Sequence, residues 1–175
     1  PIDIGSLKNK NIRVVQKMLY QKAGMSEVGV LAGIMPFDAF TVTPKVDLSY
    51  GQHMTERSAW EVVWGLGYGL KNGDYKELEG PSYGITPDAY RYLTSLSANY
   101  QIAPIYAKFS WDGSRVFHHD VYSLVGAGLS VEQAFMQDGD MAFSPSLNLG
   151  IGTRIYLPNK AAIRLQIKDE INFQS

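Results

Sequence analysis

His53, His118 and His119 are the residues best suited to hold a metal or move a proton near neutral pH. The adjacent pair points to opposite faces of any strand, which makes a poor chelate, so the three read as surface or loop histidines. Asp138-Gly139-Asp140 offers carboxylates for calcium but lacks the spaced oxygen ligands and terminal Glu of a calcium loop, and reads as a polar turn. Asp47 and Glu61 resemble a glycosidase pair in type, yet facing strands routinely bring two acids together. Gly-x-Ser-x-Gly, phosphate-loop and dinucleotide signatures are absent, no Ser-His-Asp triad can be assembled, and there is no cysteine. The expectation is a protein that is not an enzyme, with no metal and no cofactor.

The other charges recur at alternate positions among glycines. Acids Glu27, Asp47, Glu61, Asp120, Glu132 and Glu170 and bases Lys45, Lys108, Arg154, Arg164 and Lys168 share a face with Gly29, Gly33, Gly65, Gly67, Gly69, Gly126, Gly128, Gly150 and Gly152. Period two over such lengths means β-strand, since successive side chains point to opposite faces. Strands are predicted at about 26–35, 40–53, 58–70, 97–110 and 117–132, followed by a closing hairpin within 146–172. Pro36-Phe37-Asp38 is read as the end of the first strand. In the fourth, Ala103, Ile105, Ala107 and Phe109 oppose Tyr100, Pro104, Tyr106 and Lys108. Residues 71–96 lack alternation and read as one long loop, with a turn of helix at Pro87–Arg91. Seven strands result, long beside the usual five or six residues.

Length and composition set the frame. The 175 residues suit one domain, and strand and turn formers dominate, with 17 Gly and 11 Tyr. Formal charge is −1 with no basic tract, so nucleic acid is not a suggested partner. No apolar run approaches the ~20 residues of a spanning helix, which leaves a membrane barrel open. The opening PIDIGSLKNK does not read as a signal peptide, so an exported protein would be a mature or trimmed chain. Residues 1–24 are set apart as an N-terminal arm, with Val14, Val15, Met18 and Leu19 at helical spacing and Arg13, Lys17 and Lys22 elsewhere on the surface. A surface helix is the plain reading, and a basic membrane-surface helix the alternative. The barrel is assigned to 25–175.

The volume of the apolar faces decides which face is inside. They carry Phe40, Tyr50, Trp60, Trp64, Tyr68, Phe109 and Phe173 with many Leu, Ile and Val, too much for the interior of an eight-strand barrel. Glycines and charges suit a narrow interior instead. Phe40, Tyr50, Trp60, Tyr68, Phe109 and Trp111 fall near strand ends, as an aromatic girdle at two lipid interfaces requires. The reading is an all-β membrane barrel. A soluble lipocalin-like ligand-binding barrel is the alternative, with the apolar faces turned inward.

Tyr100–Lys108 (YQIAPIYAK), His119–Gly128 (HDVYSLVGAG), Gly150–Tyr156 (GIGTRIY) and Ala162–Asp169 (AIRLQIKD) resemble an outer-membrane β-barrel domain family of Gram-negative bacteria. The architecture is similar to the OmpA transmembrane domain, and Val14–Gly24 (VVQKMLYQKAG) resembles the segment before the family's first strand. The resemblance covers about 14–173. It implies an all-β, up-and-down, antiparallel transmembrane β-barrel of eight-strand type, located in the outer membrane, with lipid as partner and the N-terminus in the periplasm. Here only seven strands are visible. The eighth is expected to be missing from the sequence, replaced by Asn11–Lys22, or supplied by another envelope protein at the strand-seven edge, because an unpaired edge in lipid is costly.

Within that frame Asp47 and Glu61 flank the turn near 54–57, and Arg154 and Arg164 flank that near 158–160. Pairing around these turns is expected to set each like-charged couple side by side. The expectation is one trans-lumen cluster of Asp47, Glu61, Arg154 and Arg164, joined by Lys108 and Asp120, with Glu27, Lys45, Glu132, Lys168 and Glu170 as further lumen charges. Such a plug predicts a structural or partner-binding protein; a small outer-membrane channel is the competing reading. In the 71–96 loop, Tyr75, Tyr83, Tyr90, Arg91 and Tyr92 are the candidate contacts for a partner.

Overall fold

A computed structural model describes residues 21–111, 115–135, 140–157 and 160–173. The elements are β1 (Ser26–Asp38), β2 (Thr41–His53), β3 (Ser58–Gly67), β4 (Leu70–Lys71), α1 (Gly73–Glu79), β5 (Tyr90–Trp111), β6 (Arg115–Ala134), β7 (Met141–Tyr156) and β8 (Ala162–Asn172). The long strands pair antiparallel in the order β1-β2-β3-β5-β6-β7-β8, and β4 pairs with β2. The fold is an all-β, up-and-down, nearly closed barrel. Among the described residues β1 and β8 share no ladder. Between them runs a cleft of about 750 Å³, walled by Val30–Pro36 of β1 and Arg164–Glu170 of β8. Seven long strands alternate in direction, so β1 and β8 point the same way.

The barrel is polar inside and apolar outside. Glu61, Asn99, Gln101, Asp120, Glu132, Asn148 and Arg154 are buried, whereas Val30, Trp64, Leu96, Leu129, Leu149 and Ile167 are exposed. Glycine makes room at the tightest points. A Cβ on Gly65 would lie 2.5 Å from Lys45 Cε and 2.7 Å from both Asp47 Oδ1 and the Tyr92 hydroxyl.

Several boundaries differ from the sequence reading. Pro36 does not end β1, which runs to Asp38 through a register shift between those two residues; proline has no N–H for the ladder, so the pairing slips instead of stopping. The third strand ends at Gly67, and Leu70-Lys71 forms the separate β4 on Thr41-Val42. Residues 71–96 are not one loop. Asn72 caps α1, its side chain accepting from the Tyr75 N–H at 3.0 Å, and Tyr90 already lies in β5, where a helical turn was expected. A second shift, between Ile102 and Ile105 around Pro104, reverses the faces within β5. Ala103 is therefore inside while Ile105 is outside, although strict alternation put them together. The predicted helix over 11–22 lies almost wholly outside the described residues. Lys22–Met25 form a turn closed by Met25 N–H to Lys22 O at 2.9 Å, with Gly24 at φ 79°.

Candidate functional site: the charged lumen

The lumen charges form two groups, not one cluster. In the first, Lys45 and Asp47 alternate on β2, and Lys168 and Glu170 alternate on β8, so each pair shares the inner face. Lys45 Nζ lies 2.6 Å from Glu170 Oε2 and 3.4 Å from Asp47 Oδ1. Lys168 Nζ lies 3.4 Å from Glu170 and 3.7 Å from Asp47. The quartet ties β2 to β8 across the inner side of the cleft. The Tyr92 ring covers Lys45 at 4.9 Å, and its hydroxyl donates to Ser95 Oγ at 2.6 Å.

The second group is built on β7 and β8. Arg164 binds Glu61 with two parallel hydrogen bonds, and its Nε donates to the Tyr122 hydroxyl at 2.6 Å. Arg154 donates to Gln101 Oε1 at 2.7 Å and to the Tyr156 hydroxyl at 3.3 Å, and pairs with Glu27 at 3.4 Å. His53 Nε2 lies 3.1 Å from the same Glu27 oxygen. Tyr122 sits between the two guanidiniums, 4.9 Å from Arg154 Cζ and 5.1 Å from Arg164 Cζ. Asp120 receives the Tyr156 hydroxyl at 2.8 Å and Lys22 Nζ at 2.6 Å.

The expected cluster needs three corrections. Arg154 and Arg164 are direct ladder partners, but Asp47 pairs with Gly65 and Glu61 with Gly51, so the two acids are not side by side and enter different groups. The register around the 54–57 turn separates them. Asp47 meets lysines, not arginines. Lys108 does not serve Asp120: it sits opposite His118 on the ladder, and Lys22, assigned to a surface helix, takes its place. Glu132 is fully buried higher in the barrel, where Ser130 Oγ donates to it at 3.0 Å. His53 is not the surface or loop histidine expected: it is buried in the lumen beside Glu27. His53, Tyr122 and Tyr156 share the alternation of inward Asp47, Asp120 and Arg154, and Gln101, in step with Ala103, falls inside because of the shift in β5.

The loop candidates divide. Tyr75 and Tyr92 are 0% and 1% exposed, so neither is a contact surface. Tyr75 plugs the barrel end beneath α1, against Phe40 (6.4 Å), Phe135 (5.5 Å) and Lys71 (4.2 Å from the ring). Tyr90 and Arg91 belong to β5, the latter's guanidinium stacked on Tyr68 and Phe135. Tyr83 alone of the five is well exposed, at 60%. Of the girdle, Tyr50 and Trp60 pack edge to face at 5.8 Å and Phe109 stacks on Phe117 at 5.4 Å, all outside one end. Tyr68 is outside the other. Phe40 instead turns onto Tyr75 in the mouth, and the Trp111 side chain lies outside the described residues.

Among the described residues no three metal-ligating side chains come together. Glu61 gives both oxygens to Arg164 and Asp47 faces two lysines, so the two acids form no paired carboxylate site. Compared with protein-family models, with curated proteins and with solved structures, the chain gives no match.

Proposed function

We propose that this chain is an integral outer-membrane β-barrel protein of a Gram-negative bacterium, OmpA-like in architecture, not an enzyme, with a structural or partner-binding role and a lumen filled by paired charges. The observation that carries the reading is the inversion of the barrel: ion pairs within, and many exposed Val, Leu, Ile, Phe and Trp side chains around the wall, interrupted by few polar residues such as Asp169. In water each such side chain, left about half exposed, forgoes part of the roughly 1.5–3 kcal/mol that full burial gives, repeated along every strand. A lipid surround removes that cost, and outward Tyr50, Trp60, Tyr68 and Phe109 near the strand ends suit its interfaces. A lipocalin-like role needs an apolar chamber, and this interior offers carboxylates and guanidiniums.

The lumen reading favours a plug over a channel. Two cavities near Arg154 have volumes of about 10 Å³ each, room for about one water. Partners have two addresses. The facing edges of β1 and β8, which carry no ladder among the described residues, can take one strand antiparallel to both, from another envelope protein, and exposed Tyr83 and Ile85 lie at the α1 end. Membrane fractionation followed by detergent gels with and without heating tests the proposal. The expected result is a membrane-bound chain whose unheated form migrates faster. Recovery in the aqueous fraction, without detergent, overturns it.

A further inference from the structure

The turn before β1 sends a side chain into the end of the barrel. Lys22 is 3% exposed, with its Nζ 2.6 Å from Asp120 Oδ2. The Tyr156 hydroxyl donates to the same oxygen at 2.8 Å, and the rings of Tyr106 and Tyr156 lie 5.8 and 5.6 Å from the amine. Asp120 Oδ1 is buried and has no hydrogen-bond partner, so the carboxylate retains acceptor capacity. The backbone is held as well. The N–H groups of Lys22 and Ala23 donate to the two oxygens of Glu56, at 3.0 and 3.3 Å, in the turn between β2 and β3.

We propose that Asp120, Tyr156 and Tyr106 form a socket for a primary ammonium at this end of the barrel, filled in cis by Lys22, and that it latches the segment before β1 across the mouth. A fully buried carboxylate is costly unless a cation pairs with it. Arg154, the ladder neighbour of Asp120, directs its guanidinium to Gln101, Tyr156 and Glu27 instead. Two aromatic faces beside one carboxylate suit a compact ammonium that offers both charge and N–H donors. The latch fixes the Lys22–Met25 turn and does not depend on what surrounds the outer wall.

The test uses the full chain, purified in detergent, with Ala23→Cys carrying a nitroxide; the sequence has no other cysteine. The parent label gives an immobilised spectrum. Lys22→Ala gives a mobile component, and this variant, its socket emptied, binds millimolar n-propylammonium in titration calorimetry but not tetramethylammonium, which has no N–H donor. Asp120→Asn gives the mobile component and binds neither amine. An immobile label in Lys22→Ala, no binding of n-propylammonium, or equal binding of both amines overturns the socket. If Asp120→Asn fails to fold, the Lys22→Ala comparison decides alone.

Discussion

Arg164 on β8 reaches Glu61 on β3 through a matched pair of hydrogen bonds, Nη1 to Oε2 at 2.8 Å and Nη2 to Oε1 at 2.9 Å. The two strands are far apart in the sheet order, so the bond crosses the lumen and fixes its diameter at this height. Both side chains are nearly buried, at 9% and 4% exposure. Planar fork against planar carboxylate is the geometry in which an ion pair best offsets its desolvation.

Removing one partner strands the other. Arg164→Met or Glu61→Ala is expected to cost about 3–5 kcal/mol, the range for an uncompensated buried charge. Replacing both with apolar residues of similar volume recovers most of the loss, because neither charge is then left unpaired. Denaturant unfolding of the two single variants and the double variant measures the coupling.

Two glycines on the same inner face respond differently to substitution. Gly65→Val drives a side chain into Lys45, Asp47 and Tyr92 and is expected to destabilise by about 1–3 kcal/mol, as overpacking does. Gly33, beside the cleft, has no atom within 4 Å of its would-be Cβ. Gly33→Val is therefore expected to change unfolding free energy by no more than about 0.5 kcal/mol.

Tyr75 holds α1 on the barrel end. Tyr75→Ala removes a fully buried ring and is expected to cost about 3–5 kcal/mol of local stability. The expected readout is faster proteolysis within 73–89, with cleavage confined there if the barrel remains closed. Tyr83→Ala, at an exposed site, leaves that rate unchanged.

The outer wall separates the two environments directly. Leu149 lies outward on the middle of β7 at 44% exposure. In a bilayer Leu149→Arg is expected to cost about 2–4 kcal/mol in folding into lipid vesicles, whereas a soluble wall would take it within about 0.5 kcal/mol. A neutral result in vesicles counts against the membrane reading.

Much of this was present in the order of residues. Alternation is a local property of the extended chain, so the seven long strands and the division into an apolar and a charged face follow from period two. The too-bulky apolar face, set against glycines and charges, also gave the inversion of the barrel. The misreadings came where local rules compete with pairing. Pro36 and Pro104 looked like a stop and an ordinary strand residue, yet both sit at register shifts, because a ladder can slip past a missing N–H at less cost than ending. The 71–96 stretch read as a loop, yet Asn72 caps α1, and so short a helix persists because Tyr75 is buried.

Charge partners were decided in three dimensions. Apart from β5, where the shift near Pro104 reverses the faces, which residues faced inward was readable from their own strand; which cation reached which acid depended on register, barrel curvature and the entry of a segment outside the sheet. Asp47 therefore met Lys45 and Lys168, and Asp120 met Lys22. Coulomb attraction acts over distances that sequence spacing does not encode, and only closure of the sheet brings β3 within reach of β8.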